Sequence, residues 1–143
     1  MIWTIVGIIT MIIGIILFRF FADLNKDDED LQKKPLPDKF KVIMQMINAS
    51  AFNGEGVLKM FSNREFVLHK DGLGEVIHFV YSTGNLTIIW KYTYYYKEVV
   101  HKHQFDNVRN LSLLEQQKIA DLIIREMAIV VQQHKSHVIT GMP

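Results

Sequence analysis

The first eighteen residues, MIWTIVGIITMIIGIILF, contain no charged side chain, and Phe20 and Phe21 carry the apolar character past Arg19. At about 1.5 Å per residue, a helix from Ile2 to Phe21 is roughly 30 Å long, the thickness of a bilayer's hydrocarbon core. Such a segment is apolar on every face, so it has no polar side to turn toward water. Trp3 suits one headgroup layer, and Arg19 can reach the other along its aliphatic stem. A cleaved leader would carry basic residues ahead of the run and small residues behind it. No Lys or Arg precedes this run, and Phe20-Phe21-Ala22-Asp23 follows it. The expectation is a retained transmembrane anchor over residues 1–22, contacting the lipid bilayer through residues 2–21. Arg19, Lys26, Lys33 and Lys34 all lie after the span, which by the basic-residue rule puts the remainder of a cell-membrane protein in the cytoplasm. Gly7, Thr10 and Gly14 fall on one helical face, a spacing that lets two membrane helices approach and suggests a homo-oligomer through that helix.

After the anchor the regime changes. Residues 23–36 are charged and then Pro-punctuated, with no apolar period, and read as a solvated linker. Its acidic run Asp27, Asp28, Glu29, Asp30 lacks the alternating ligand spacing and central Gly of a calcium loop. From Pro37 to residue 143 the pattern is that of one small domain. Phe40, Ile43, Met44 and Ile47 recur at helical spacing, and Asn53-Gly54-Glu55-Gly56 ends that segment. Short runs then alternate with turn residues: Val57–Phe61, Glu65–Lys70, Glu75–Tyr81 and Leu86–Tyr96, with Val99–Phe105 a fifth strand if Lys97-Glu98 turns. Such spacing leaves no room for crossover helices, so the strands form an antiparallel meander. Ser112-Leu113-Leu114-Glu115 matches a capping box and opens a long helix with Ile119, Leu122, Ile123, Met127, Val130 and Val131 on one face. The expected fold is α+β: a single transmembrane helix, a helix, a four- to five-stranded antiparallel meander and a long C-terminal helix, with helices over one sheet face.

Composition narrows the function. A formal net charge of +1 does not suit a domain built to grip nucleic acid, and none is expected as a partner. The absence of cysteine excludes disulfides, thiolate metal sites and a cysteine nucleophile. No phosphate loop, nucleophile elbow or His-Glu-x-x-His motif occurs. No cofactor is expected and no catalytic residue stands out, so an enzyme has no support in the sequence.

The candidate binding residues are few. In WKYTYYYKEVVHKH, strand alternation sends Trp90, Tyr92, Tyr94 and Tyr96 to the face under the helices. Ile89, Tyr95 and Lys97 then point away and are the candidates for contact with a protein partner. His101 and His103 share one side of a strand, and His134 and His137 share one side of a helix end, so four imidazoles would meet at a metal if that end packs on that strand. Arg109, just before the capped helix, is a candidate anion ligand. The favoured function is a membrane-anchored, non-catalytic module that presents its domain to a protein partner. The alternatives are an apolar ligand or lipid held between sheet and C-terminal helix, and a metal-dependent enzyme using the histidine cluster.

Overall fold

A computed structural model describes residues 1–140; the last three positions of the expected domain, 141–143, lie outside the described residues. The chain runs α1 (Ile2–Lys33), α2 (Leu36–Lys39), α3 (Lys41–Phe52), β1 (Val57–Ser62), β2 (Glu65–His69), β3 (Glu75–Ser82), β4 (Asn85–Tyr94), β5 (Lys97–Phe105) and α4 (Leu113–Thr140). The strands form one antiparallel sheet in the order β1-β2-β3-β4-β5. This is the expected α+β meander, with five strands.

One face of the sheet carries the core. Phe66 and Leu68 of β2, Ile77, Phe79 and Tyr81 of β3, and Leu86, Ile88 and Trp90 of β4 are all buried, each two residues from the next along its strand. They pack with Phe40, Ile43, Ile47 and Phe52 around α3, and with Ala120, Ile123 and Met127 of α4. Leu122, expected on the core stripe of α4, lies at its margin and is exposed. The opposite face holds alternating positions such as Val76, His78, Thr87 and Ile89, all half-buried, with Val67 buried among them.

Turn chemistry fixes the register. Ser82 pairs with Asn85 and Tyr94 with Lys97, so two-residue turns join β3 to β4 and β4 to β5. Thr83 and Gly84 both have positive φ, as do Tyr95 and Tyr96 (49° and 62°). These are the left-handed pairs that match the twist of a hairpin. α3 ends on Asn53, also left-handed, where the asparagine's short side chain tolerates the conformation.

α1 departs from the expected layout. It contains one segment long and apolar enough to cross a membrane, and the helix continues without a break through the charged stretch to Lys33. Within residues 23–33, expected to be a solvated linker, the chain is helical and Asp27, Asp28 and Asp30 have partners in the domain.

Candidate functional site

Asp27 is the centre of the junction between α1 and the rest of the chain. Its carboxylate is fully buried (0% exposed). It accepts from the backbone N–H of Thr83 and, at 2.9 Å, from that of Gly84, the two amides that the left-handed turn aims outward. Arg64, before β2, donates to Asp27 Oδ2 at 3.1 Å, to Asp28 at 2.6 Å and to the carbonyl of Leu24. Arg109 donates to Asp27 Oδ1 and sits 3.3 Å from Asp30. One buried carboxylate thus meets two guanidinium groups and two amides, which offsets the cost of removing it from water. Gly84 suits this position: its φ is +73°, and a Cβ would come within 3.3 Å of the Arg109 guanidinium. Leu31, one turn further along α1, is part of the domain core. α1 is in this way seated on the β3–β4 turn.

This seat settles where Arg109 points. Its guanidinium faces the carboxylates of α1, so it is committed to an internal ion pair rather than to an external anion. Gly7 and Gly14 have no atom near a hypothetical Cβ, and Thr10 donates only to the carbonyl of Val6 in its own helix. That face of α1 remains open along the apolar segment.

At the other end of β4 is a second feature. Ten residues of strand, about 30 Å, separate the seat from the Tyr95–Tyr96 turn. Tyr95 is 60% exposed and Tyr96 fully exposed (101%). Strand alternation alone would place Tyr96 beneath the helices. The turn ends the alternation of β4 two residues earlier, so Tyr96 stands at the tip. Lys97 then pairs with Tyr94 and shares the helix side of the sheet, whereas Ile89 lies on the uncovered side. Tyr95 and Lys97 are neighbours at the tip, and Ile89 is not part of that surface.

Between tip and core the sheet and helices leave a groove of about 280 Å³, lined by Trp90, Tyr92, Ile124, Met127 and Val131 with Glu75 and Lys135. Trp90 Nε1–H donates to Glu75 Oε1 at 2.6 Å. Burial pushes the Glu75 carboxyl above its ordinary range, although the Trp90 hydrogen bond and the Lys135 charge oppose that. The Lys135 ammonium lies over the rings of Tyr92 and Tyr94, 5.8 and 5.4 Å from their centroids.

The histidines divide. Pairing with Trp90 and Ile88 places His101 and His103 on the helix side of β5, under α4. Both ring nitrogens meet the same oxygen of Glu126: His101 Nε2 at 2.8 Å and His103 Nδ1 at 2.9 Å. Burial works against the Glu126 charge, but the bonds from His101 and His103 prevail and hold its carboxyl below the ordinary range. His134 instead contacts the carbonyl of Lys97 at 2.9 Å, and His137 faces solvent in the last turn of α4. The four-histidine cluster does not assemble; two histidines and a glutamate do. Glu126 was legible only as the residue beside Met127 at the edge of the apolar stripe, three after Ile123. Asp27 and Glu75 gave no local signal, since their partners lie far away in sequence. No protein family, curated protein or solved structure matches this chain.

Proposed function

We propose that the chain is a single-pass membrane protein whose α+β domain binds a protein partner, without catalysis, on the cytoplasmic side of the cell membrane. The observation that carries this reading is the Tyr95–Tyr96 tip. A non-glycine residue at positive φ costs about 1–2 kcal/mol, and here two consecutive tyrosines bear that cost while exposing their rings. Strain combined with exposed aromatic surface is what a contact site tolerates and a merely structural turn avoids. The buried Asp27 seat supports the same reading, because a domain fixed to its anchor presents its tip in a restricted orientation. Weak contacts then benefit from the high local concentration at a membrane.

The test is site-specific photo-cross-linking in intact cells, with a benzophenone amino acid at position 96 and, as control, at the exposed Lys118 of α4. A discrete adduct from position 96 that the control lacks, and that Tyr95→Ala abolishes, is expected. An adduct of twice the chain mass would instead identify a second copy, and equal or no labelling at the two positions would discard the tip. A reporter fused after Pro143 should be active only in the cytoplasm; activity on the other side of the membrane would reverse the orientation.

The groove favours a second reading, an apolar ligand or lipid held against Trp90 and Met127 with a polar group between Glu75 and Lys135. Native mass spectrometry of the whole chain would reveal it as a bound mass lost on Met127→Trp.

A further inference from the structure

We infer that His101, His103 and Glu126 form a binding site for a divalent first-row transition ion. The His101 Nε2, His103 Nδ1 and Glu126 Oε2 atoms all lie within 4.8 Å of one another. They come from two elements whose relative position the core fixes: β5, paired to β4 along its whole length, and α4, packed on β4 and β5 through Ile123 and Met127. The His103 ring stacks on Phe105, with centroids 4.1 Å apart and planes 7° from parallel, so its orientation is set before any ligand arrives. Cross-strand Trp90 and Ile88, both buried, flank the two imidazoles with apolar surface, which strengthens charge interactions beside it.

The donor set states which ions fit. Two imidazoles and one carboxylate suit zinc and its first-row neighbours, and without cysteine no thiolate competes for them. With bonds of about 2.0–2.1 Å, tetrahedral ligand atoms stand roughly 3.3 Å apart. The contacts to Glu126 at 2.8 and 2.9 Å need open by only about half an ångström to reach that spacing. The side chains are about a quarter to a third exposed (24%, 31% and 28%), so the ion has a path in and a fourth position facing solvent. Three protein ligands with one open position make a site that can take an outside ligand, unlike a closed structural site.

Proton bookkeeping is simple. An ionised Glu126 can only accept, so each ring nitrogen that meets it donates an N–H. The ion replaces those two hydrogens: a neutral ring moves its proton to the outer nitrogen, and an imidazolium releases it to water.

The experiment uses the full chain in detergent micelles, purified without a polyhistidine tag and equilibrated with zinc chloride or cobalt chloride. One zinc per chain is expected by elemental analysis, together with visible cobalt bands of an open nitrogen–oxygen site. His101→Ala and Glu126→Ala should each weaken zinc binding by at least about a hundredfold, given that even outer-shell partners of a ligand are worth ten- to a hundredfold. His134→Ala and His137→Ala should leave it unchanged. In the wild-type chain, where folding is not in question, zinc should protect His101 and His103 from diethylpyrocarbonate while His137 stays reactive. Sub-stoichiometric zinc, failure to protect His101 and His103, or loss of binding on His134→Ala or His137→Ala alone would overturn the assignment.

Discussion

Asp27 shows how a single residue can change the meaning of a segment. In the sequence it belongs to an acidic run that reads as solvated, because its neighbours are charged and nothing nearby pairs with them. Its partners, Arg64, Thr83, Gly84 and Arg109, lie 37 to 82 positions away, beyond the reach of any local pattern. Removing one partner of a buried ion pair costs about 3–5 kcal/mol. Asp27→Ala should fall near 3 kcal/mol, the lower end of that range, because each arginine keeps a second carboxylate and is about a fifth exposed. Urea unfolding of the full chain checks this, and a loss under about 1 kcal/mol would mean that the seat is only a surface contact. Glu75 is the second residue of this kind. Its carboxyl is raised by burial, so the folded state holds that proton more tightly than the unfolded chain does. The resulting stability is fully present below the ordinary value of 4.5 and is lost as pH climbs through the raised value. Glu75→Gln keeps an acceptor for Trp90 and removes the titration. The variant should therefore gain stability relative to wild type between pH 4 and pH 8, and parallel pH profiles for the two proteins would contradict the burial.

The elements were the most legible level. α3, α4 and the first four strands announce themselves by period and by turn residues, and Ser112 accepts from the Glu115 N–H as a capping box requires. The failure came where a turn lacked turn chemistry. Tyr95–Tyr96 occupies positions that ordinarily take Asn-Gly, so parity ran on through it and put Tyr96 inside and Lys97 outside. Only the pairing of Tyr94 with Lys97 reveals the reversal. The same site gives a prediction with two opposed signs. Tyr96 is fully exposed, so Tyr96→Gly should relieve strain and stabilise the chain by about 1 kcal/mol. It should also abolish the cross-link formed from a neighbouring probe at position 97. A stabilised protein that still labels normally would make the tyrosine pair dispensable to any partner. A destabilised one would mean that the strain argument is wrong.

At the scale of the whole molecule, the domain boundary follows from what the core contains rather than from where composition changes. Proline and charge suggest a start at Pro37, but that cut would remove Asp27, Leu31 and Leu36. Leu36 is fully buried and Leu31 nearly so, both within the core cluster. Burying a leucine is worth about 1.5–3 kcal/mol, and the Asp27 seat adds about 3 kcal/mol. Together these come to roughly 6–9 kcal/mol, comparable with the entire stability of a domain this size, about 5–15 kcal/mol. A fragment of residues 37–143 should therefore unfold non-cooperatively or be unfolded at 25 °C, whereas residues 23–143 should melt in one cooperative transition. Circular dichroism melts of the two fragments decide the matter. If they melt alike, α1 is merely a neighbour of the domain and would be free to swing. If only the longer one folds, the last third of α1 is a working part of the domain. The orientation of the tyrosine tip would then be set by the direction of α1 through a continuous helix and one buried carboxylate.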